Sequence, residues 1–228
     1  PVDHNGEPWL EKQKEIAAGD VTWEQTKETV VEQIANLSQV SIVPNCDEYA
    51  IEYLPLSELF DTIKGKSKYT KKYGNLHSGP YPVYSASSQG TLTHLDTYDY
   101  DGRYMTWSTN GFAGTILILD GKFSINGDRG ILVPKNGRQD LDFDYMKFTL
   151  EPIFRELAKG RKGDNGEDEF TKLYPSMLND IMVPIPVDGE GNISLSLQKE
   201  IAQKLISVQN SQKEIIEKLD ALISKKIS

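Results

Sequence analysis

The sequence predicts an α+β protein: a curved, antiparallel, β-rich domain with flanking helices, followed by a long C-terminal helix of coiled-coil type. Between Gly79 and Val133, aromatic and β-branched residues alternate with turn residues, as strands prefer. The pairs Asp101-Gly102 and Asp120-Gly121 predict two-residue hairpins, because a type I′ turn needs the positive φ that glycine adopts freely. After residue 195 the apolar residues recur every seven positions, which predicts a coiled coil.

The first 45 residues are polar and form a separate acidic segment in this interpretation. Residues 1–61 hold 13 acidic residues and three lysines, although the whole chain has a net charge of only −9. Within the segment, Val21 to Leu37 has helical periodicity, and Thr22 is a candidate N-cap. It is read as a solvated helix, with the tail of a preceding domain or a docking helix as alternatives.

Residues 46–194 form the central domain of the prediction. Pro55 to Phe60 begins a short helix, and Phe143 to Leu157 is a longer one that Asp140 or Asp142 can cap. Pro152 is expected to kink or split this helix, because proline lacks the N–H that the interior of a helix requires. A short edge strand is expected to end at Pro186.

Residues 195–228 are predicted to form a spacer or dimerisation helix, from about Leu195 to Ile227, with Ser194 or Ser196 as its cap. Two interleaved seven-residue repeats define its seam. The alternative is an amphipathic helix that packs on the core of its own domain. The seam residues are Ile201, Leu205, Val208, Gln212, Ile215, Leu219 and Leu222.

Composition and missing motifs argue against several classes of protein. The single cysteine, Cys46, fits a reducing compartment, and no apolar run reaches the length of a membrane span, so a cytoplasmic protein with no membrane partner is expected. The three histidines lack metal-ligand spacing, and there is no glycine-rich cofactor loop between a strand and a helix. We therefore expect neither catalysis, metal nor cofactor.

Two clusters of bases are candidates for phosphate contact. Five lysines lie between residues 64 and 72, interleaved with Tyr69 and leading directly into the β-rich region. A run of this kind is equally compatible with solvated surface. The proposed phosphate contacts are Lys64, Lys66, Lys68, Lys71 and Lys72, together with Arg161 and Lys162 in a glycine-rich loop.

The order of motifs resembles the target-recognition domain of the specificity subunits of type I restriction–modification systems, and of similar domains fused to type II methylases. The resemblance covers about residues 50–228. It rests on an ordered set of segments rather than on one tetrapeptide. The segments are Tyr81–Ser85, Tyr98–Gly102, Thr106–Gly114, Asp120–Phe123, Ile181–Pro186, Gln198–Ile201 and Lys218–Asp220.

The resemblance implies a DNA-recognition component without catalytic activity, which reads one half-site in double-stranded DNA. It also implies docking on methyltransferase (M) subunits and, through them, on a restriction (R) subunit. A complete subunit of this family has two recognition domains and two spacer helices. A chain with one of each is expected to pair with a second recognition domain, to form a homodimer through its C-terminal helix, or to be a fragment of a longer fused protein.

Polar loop residues supply the candidates for base reading, because Ser, Thr, Asn, Gln and Arg side chains can hydrogen-bond base edges in the major groove. Turn chemistry is the competing explanation for each of them. A different class of function, a dimerising adaptor that binds protein instead of DNA, stays open because of the acidic net charge. The base-reading candidates are Ser87, Ser88, Gln89, Ser108, Thr109, Asn110 and Arg129.

Overall fold

A computed structural model describes residues 1–2, 4–40, 42–45, 48–162 and 168–224. The chain divides into two compact units. A helical unit combines Pro1–Ile42 with Ile206–Ser228, and a mixed α/β unit comprises Val43–Leu205. The long C-terminal helix therefore contributes to both units, whereas the sequence suggested boundaries after residues 45 and 194. Cys46 and the tip of the glycine-rich loop at residues 163–167 lie outside the described residues.

The helical unit contains α1 (Leu10–Gln39) and the second part of α5 (Leu195–Ser224). The predicted helix was too short at its N-terminal end, because Thr22 does not cap it: its hydroxyl donates to the Ala18 carbonyl within the helix at 2.9 Å. The side-chain amide of Gln212 on α5 donates to the carbonyl of Leu37 on α1. The half-buried residues of α1 recur at alternating spacings of three and four, the pattern of helix pairing. They include Trp23, Lys27, Val30, Ile34 and Leu37.

Within its described residues, the α/β unit contains four small sheets, with strand orders β1-β13, β2-β10-β6-β8, β11-β12-β7 and β4-β3-β9-β5. All pairs are antiparallel except β3 with β9. The strands are β1 (Ile51–Pro55), β2 (Phe60–Lys64), β3 (Tyr81–Tyr84), β4 (Thr93–Leu95), β5 (Tyr100–Asp101), β6 (Tyr104–Ser108), β7 (Asn110–Gly111), β8 (Ile116–Leu119), β9 (Lys122–Ile125), β10 (Arg129–Pro134), β11 (Lys159–Lys162), β12 (Asp168–Lys172) and β13 (Met182–Pro186). The helices are α2 (Leu56–Leu59), α3 (Lys71–Leu76), α4 (Phe143–Leu157) and the start of α5, with 3₁₀ turns at Lys135–Gly137 and Pro175–Met177.

The two Asp-Gly turns do not close hairpins, so that prediction was wrong. Gly102 and Gly121 have positive φ, at 126° and 83°, but Asn136 is the only non-glycine residue with positive φ in the described ranges, which excludes type I′ geometry at both turns. Each turn instead passes the chain from one sheet to another, since β5 pairs with β9, and β8 with β6. The turns contact each other through the Gly102 N–H and the Gly121 carbonyl, at 3.0 Å.

Helix α4 packs across the sheets and stays continuous through Pro152, so the expected split does not occur. Asp142 caps the helix as predicted, because its carboxylate accepts from the Tyr145 N–H at 2.9 Å. Phe154 on the buried face of α4 lies edge-on to Trp107 of β6, with 5.9 Å between the ring centroids. The indole N–H of Trp107 donates to the Leu173 carbonyl at 3.0 Å, which satisfies its only polar group in the core.

The start of α5 packs within the α/β unit. Gln198 is fully buried, and its amide donates to the Asp140 carbonyl while its oxygen accepts from the Asp142 N–H, both at 2.9 Å. Ile201 and Leu205 are buried with it, and Ser194 caps the helix through the Leu197 N–H. The first turns of the helix thus pack on the core of the α/β unit, the rest belongs to the helical unit, and pairing with another chain stays a prediction. No described helix is long and apolar enough to cross a membrane.

Candidate nucleic-acid interface

The first candidate loop connects β3 to β4 and exposes Ser87, Ser88 and Gln89. The Ser87 hydroxyl accepts from the Gln89 N–H at 3.0 Å and donates to the Gln89 carbonyl at 2.7 Å. This local turn occupies the Ser87 side chain. The side chains of Ser88 and Gln89 are left at the exposed tip, where a ligand could meet them.

Arg129 is fully buried, so the expectation that it contacts a base is corrected. Its guanidinium donates to the carbonyls of Ser85, Ala86 and Ser87, at 2.6, 3.3 and 3.0 Å, and to the Thr106 hydroxyl at 3.1 Å. Desolvation lowers the pKa of the guanidinium to about 10, which leaves it charged at neutral pH. Arg129 therefore anchors the first loop from beneath.

The second candidate loop runs from Ser108 to Gly114, and its first two residues face inward. Ser108 is fully buried and donates to the Phe112 carbonyl while accepting from the Thr115 N–H. Thr109 is also fully buried, with its hydroxyl donating to the Gly127 carbonyl at 3.3 Å. Both side chains brace the loop from within, which removes them from the set of candidate readers.

Asn110 is half-buried at the rim, and Asp128 holds its amide. The Asn110 Nδ2 donates to the Asp128 carboxylate at 2.6 Å. Asp128 is itself fixed by Asn126, whose Oδ1 accepts from the Asp128 N–H at 3.0 Å. An amide has two N–H groups and a carbonyl, so the bond to Asp128 uses only one of the three hydrogen-bonding sites of the Asn110 side chain.

The two loops meet around one open cavity of about 320 Å³. The structure thus brings together the predicted readers of the first loop and Asn110 of the second. Phe112 joins them and is 58% exposed. The residues that line the cavity are Ala86, Ser87, Ser88, Gln89, Asn110, Gly111, Phe112 and Thr115.

The predicted phosphate contacts of the lysine run are all exposed. Lys64 and Lys71 line a second cavity, of about 330 Å³, whose other wall includes Ser85 and Asp128. This cavity adjoins the first one, because the first loop supplies residues to both and Asp128 holds Asn110.

Lys66 differs from the other lysines of the run, because it forms an ion pair with Asp99. The hydrogen bond to this carboxylate raises the lysine pKa. Part of the charge of Lys66 is thus neutralised within the protein. Lys68 lies over the rings of Tyr69 and Tyr73, at 5.4 and 5.5 Å from the centroids.

Arg161 and Lys162 lie on β11, where the sequence suggested a loop, and Arg161 is exposed. Their sheet reaches the second loop, because β12 pairs with both β11 and β7. Three residues near the two cavities were not predicted from the sequence: Asp128, Phe112 and Lys172. Asp128 lies within a predicted turn, and an isolated phenylalanine or lysine gives no signal until its neighbours in the sheet are known.

The seam residues of α5 separate into two rows. In the helical unit, Gln212 and Leu219 are half-buried. Val208, Ile215 and Leu222 are between 49% and 58% exposed, so they form an apolar row that faces solvent in the single chain.

Comparisons with known proteins agree with this architecture. Residues 50–225 match the family model described as the type I restriction modification DNA specificity domain. The type I restriction enzyme MpnII specificity subunit of Mycoplasma pneumoniae is 30% identical over 157 residues, which cover 68% of this chain and 43% of that subunit.

Two solved structures share the fold. A type I restriction-modification S subunit from M. genitalium aligns with a TM-score of 0.54 and 17% identity, over 74% of this chain and 42% of its own. The HsdS subunit from Thermoanaerobacter tengcongensis aligns with a TM-score of 0.56 and 15% identity, over 95% and 57%. This chain thus spans about half the length of these relatives, and it belongs to the family of type I restriction–modification DNA specificity domains.

Proposed function

We propose that this chain reads one half-site of a DNA target and positions a DNA adenine methyltransferase on it, without taking part in the chemistry. One observation carries the proposal: Ser88, Gln89 and Asn110 surround one open cavity, and the cavity next to it is lined by exposed lysines. In DNA recognition, cationic side chains bind the phosphates and fix the position of the protein, whereas side chains such as amides hydrogen-bond the base edges. The two cavities present these two kinds of side chain.

Electrostatics support this assignment despite the net charge of −9. In the part of the chain that the structure describes, no ion pair involves Lys64, Lys68, Lys71 or Lys72. These lysines have no carboxylate to displace before a phosphate binds. Charges further from DNA than a Debye length of about 8–10 Å are largely screened. DNA at the candidate surface therefore interacts with the local lysines more than with the net charge of the chain.

The test separates specificity from affinity. The target is first defined by mapping adenine methylation in cells that express the chain with its methyltransferase partner. Changing Gln89 or Asn110 to alanine should then cost about 1–3 kcal/mol on the target and leave binding to random duplex nearly unchanged. Changing Lys64 or Lys71 to glutamine should weaken binding to both duplexes and lower the salt slope by about 1.

Asn192→Ala provides a matched control, because this amide is exposed and hydrogen-bonded to Asp188, outside the two cavities. If the lysine changes altered the preferred sequence while the amide changes weakened all DNA equally, the two assignments would be reversed. A partner complex that bound no duplex at all would instead support an adaptor function.

We further propose that the exposed row Val208, Ile215 and Leu222 pairs with the same row of a second copy, or with the corresponding helix of a second recognition domain. Two observations support this. The row repeats every seven residues, and its three apolar side chains are exposed in the single chain. Pairing would bring two half-site readers into one assembly.

Replacing Val208 and Ile215 together by aspartate should abolish this pairing, because it would bury two charges in the seam. The wild type should be dimeric at tens of micromolar by light scattering, and the variant monomeric with an unchanged circular dichroism spectrum. Changing Gln209 and Asn210 to aspartate adds the same charge on another side of the helix and should leave the dimer intact. A monomeric wild type would refute homodimerisation, and a variant that unfolds would show that the row belongs to the core.

A further inference from the structure

The solvent face of the three-stranded sheet β11-β12-β7 combines cations with phenylalanines. In antiparallel pairs, residues directly opposite each other point to the same face. The ladder places Lys159 opposite Lys172, Arg161 opposite Phe170, and Lys172 opposite Asn110. Side chains from all three strands therefore share one face, and that face continues to the amide of the reading cavity.

The opposite face of this sheet is buried, which fixes the orientation of the exposed one. Thr171 is fully buried, and its hydroxyl donates to the Gly111 carbonyl at 2.9 Å and accepts from the Ala113 N–H at 3.2 Å. Phe170, the preceding residue, is accordingly 53% exposed. Thr171 pairs with Gly111, and Phe112, the residue after Gly111, is 58% exposed. The two phenylalanines are therefore next to the same residue pair.

The opposition of Lys159 and Lys172 is unfavourable in the free protein, because like charges directly across a strand pair repel. Both side chains are exposed, and Lys172 lies 5.9 Å from the centroid of the Phe170 ring. No carboxylate forms an ion pair with either lysine in the described ranges. An anion between them would remove the repulsion.

We propose that this face is a second DNA-contact surface, on which Lys159 and Lys172 bind one backbone phosphate and Phe112 and Phe170 contact the apolar parts of adjacent nucleotides. The proposal rests on the proposed function and extends it beyond the two loops. Duplex DNA is the occupant that we favour over a protein partner, because Lys159, Arg161 and Lys172 place three cations on this face. The face also shares Asn110 with the reading cavity, and apolar side chains in the major groove meet thymine methyl groups.

The proposal is tested by fluorescence anisotropy with the full chain and a labelled random-sequence duplex of 30 base pairs, in 50–200 mM KCl. The variant Lys159→Gln/Lys172→Gln should weaken binding and lower the slope of log K against log salt by about 1. The variant Phe112→Ala/Phe170→Ala should weaken binding several-fold at every salt concentration with an unchanged slope. Lys122→Gln, an exposed lysine on another sheet, should match the wild type, and all variants should keep the wild-type melting curve.

The outcomes distinguish this proposal from the proposed function. If Lys64→Gln/Lys71→Gln weakened binding while both sheet-face variants behaved like Lys122→Gln, the second surface would be refuted and DNA reading would stand. If the wild type bound no duplex even in complex with its methyltransferase partner, both would fall. If the phenylalanine variant bound DNA normally but no longer co-purified with a co-expressed methyltransferase subunit, the face would be a protein-docking surface, which also overturns the proposal.

Discussion

Replacing Arg129 by methionine is expected to destabilise the α/β unit by about 3–5 kcal/mol, because several buried polar groups lose their donor at once. Methionine retains much of the length and apolar bulk of the arginine stem, so the loss reports mainly on hydrogen bonding. The groups affected are the carbonyls of Ser85, Ala86 and Ser87 and the hydroxyl of Thr106. Such a change is a large fraction of the 5–15 kcal/mol that typically stabilises a folded domain.

The measurement is urea unfolding followed by the fluorescence of Trp107, in a background in which Trp9 and Trp23 are phenylalanine. Trp107 then reports on the α/β unit alone, which avoids treating two units as one transition. Arg103→Met is the control: its ion pair with Asp144 spans 3.3 Å at the surface, so its loss should cost no more than about 1 kcal/mol. Equal losses in the two variants would contradict the anchoring role of Arg129.

Arg129 also shows where sequence reasoning about the site reached its limit. An arginine in a glycine-rich turn looks like a ligand contact, and the carbonyls that hold it lie 42–44 residues earlier in the chain. The same holds for Ser108 and Thr109, whose inward orientation depends on the loop that closes over them. Gln89 lies exposed in its loop and Asn110 is half-buried at the rim, and their contact with bases stays a prediction.

The fold shows the same difference between features that the local sequence predicts and features that contacts between distant segments decide. Helices α4 and α5 formed close to their predicted positions, because apolar periodicity and capping are local signals, as at Asp142. Strand pairing was not recoverable: the Asp120-Gly121 turn looks like a hairpin, yet β9 pairs in parallel with β3, some 40 residues earlier. Which sheet a strand joins is decided by packing between distant segments, and a turn dipeptide carries no information about it.

Gly114 connects the second loop to the buried core, and its replacement by alanine is expected to cost about 2–5 kcal/mol. Its φ is +91°, and a Cβ there would lie 2.7 Å from the Phe154 carbonyl carbon and 2.8 Å from the Arg155 nitrogen. The strain of a left-handed conformation costs about 1–2 kcal/mol, and displacing a packed helix adds about 1–3 kcal/mol. Both atoms belong to the backbone of α4, so no side-chain rotation can relieve the contact.

Gly111→Ala is the matched control in the same loop, because its φ is also positive, at +75°, but a Cβ there would meet no atom within 4 Å. This variant should lose only about 1–2 kcal/mol of stability, which is the cost of the left-handed backbone conformation for alanine. The difference in unfolding free energy between the two variants, measured by the fluorescence of Trp107, isolates the contact between the loop and α4. Equal losses of stability in the two variants would mean that α4 can move away from the added Cβ without a cost in free energy. A larger loss for Gly114→Ala, with a weaker preference for the target over random duplex, would show that this contact positions Asn110 for reading.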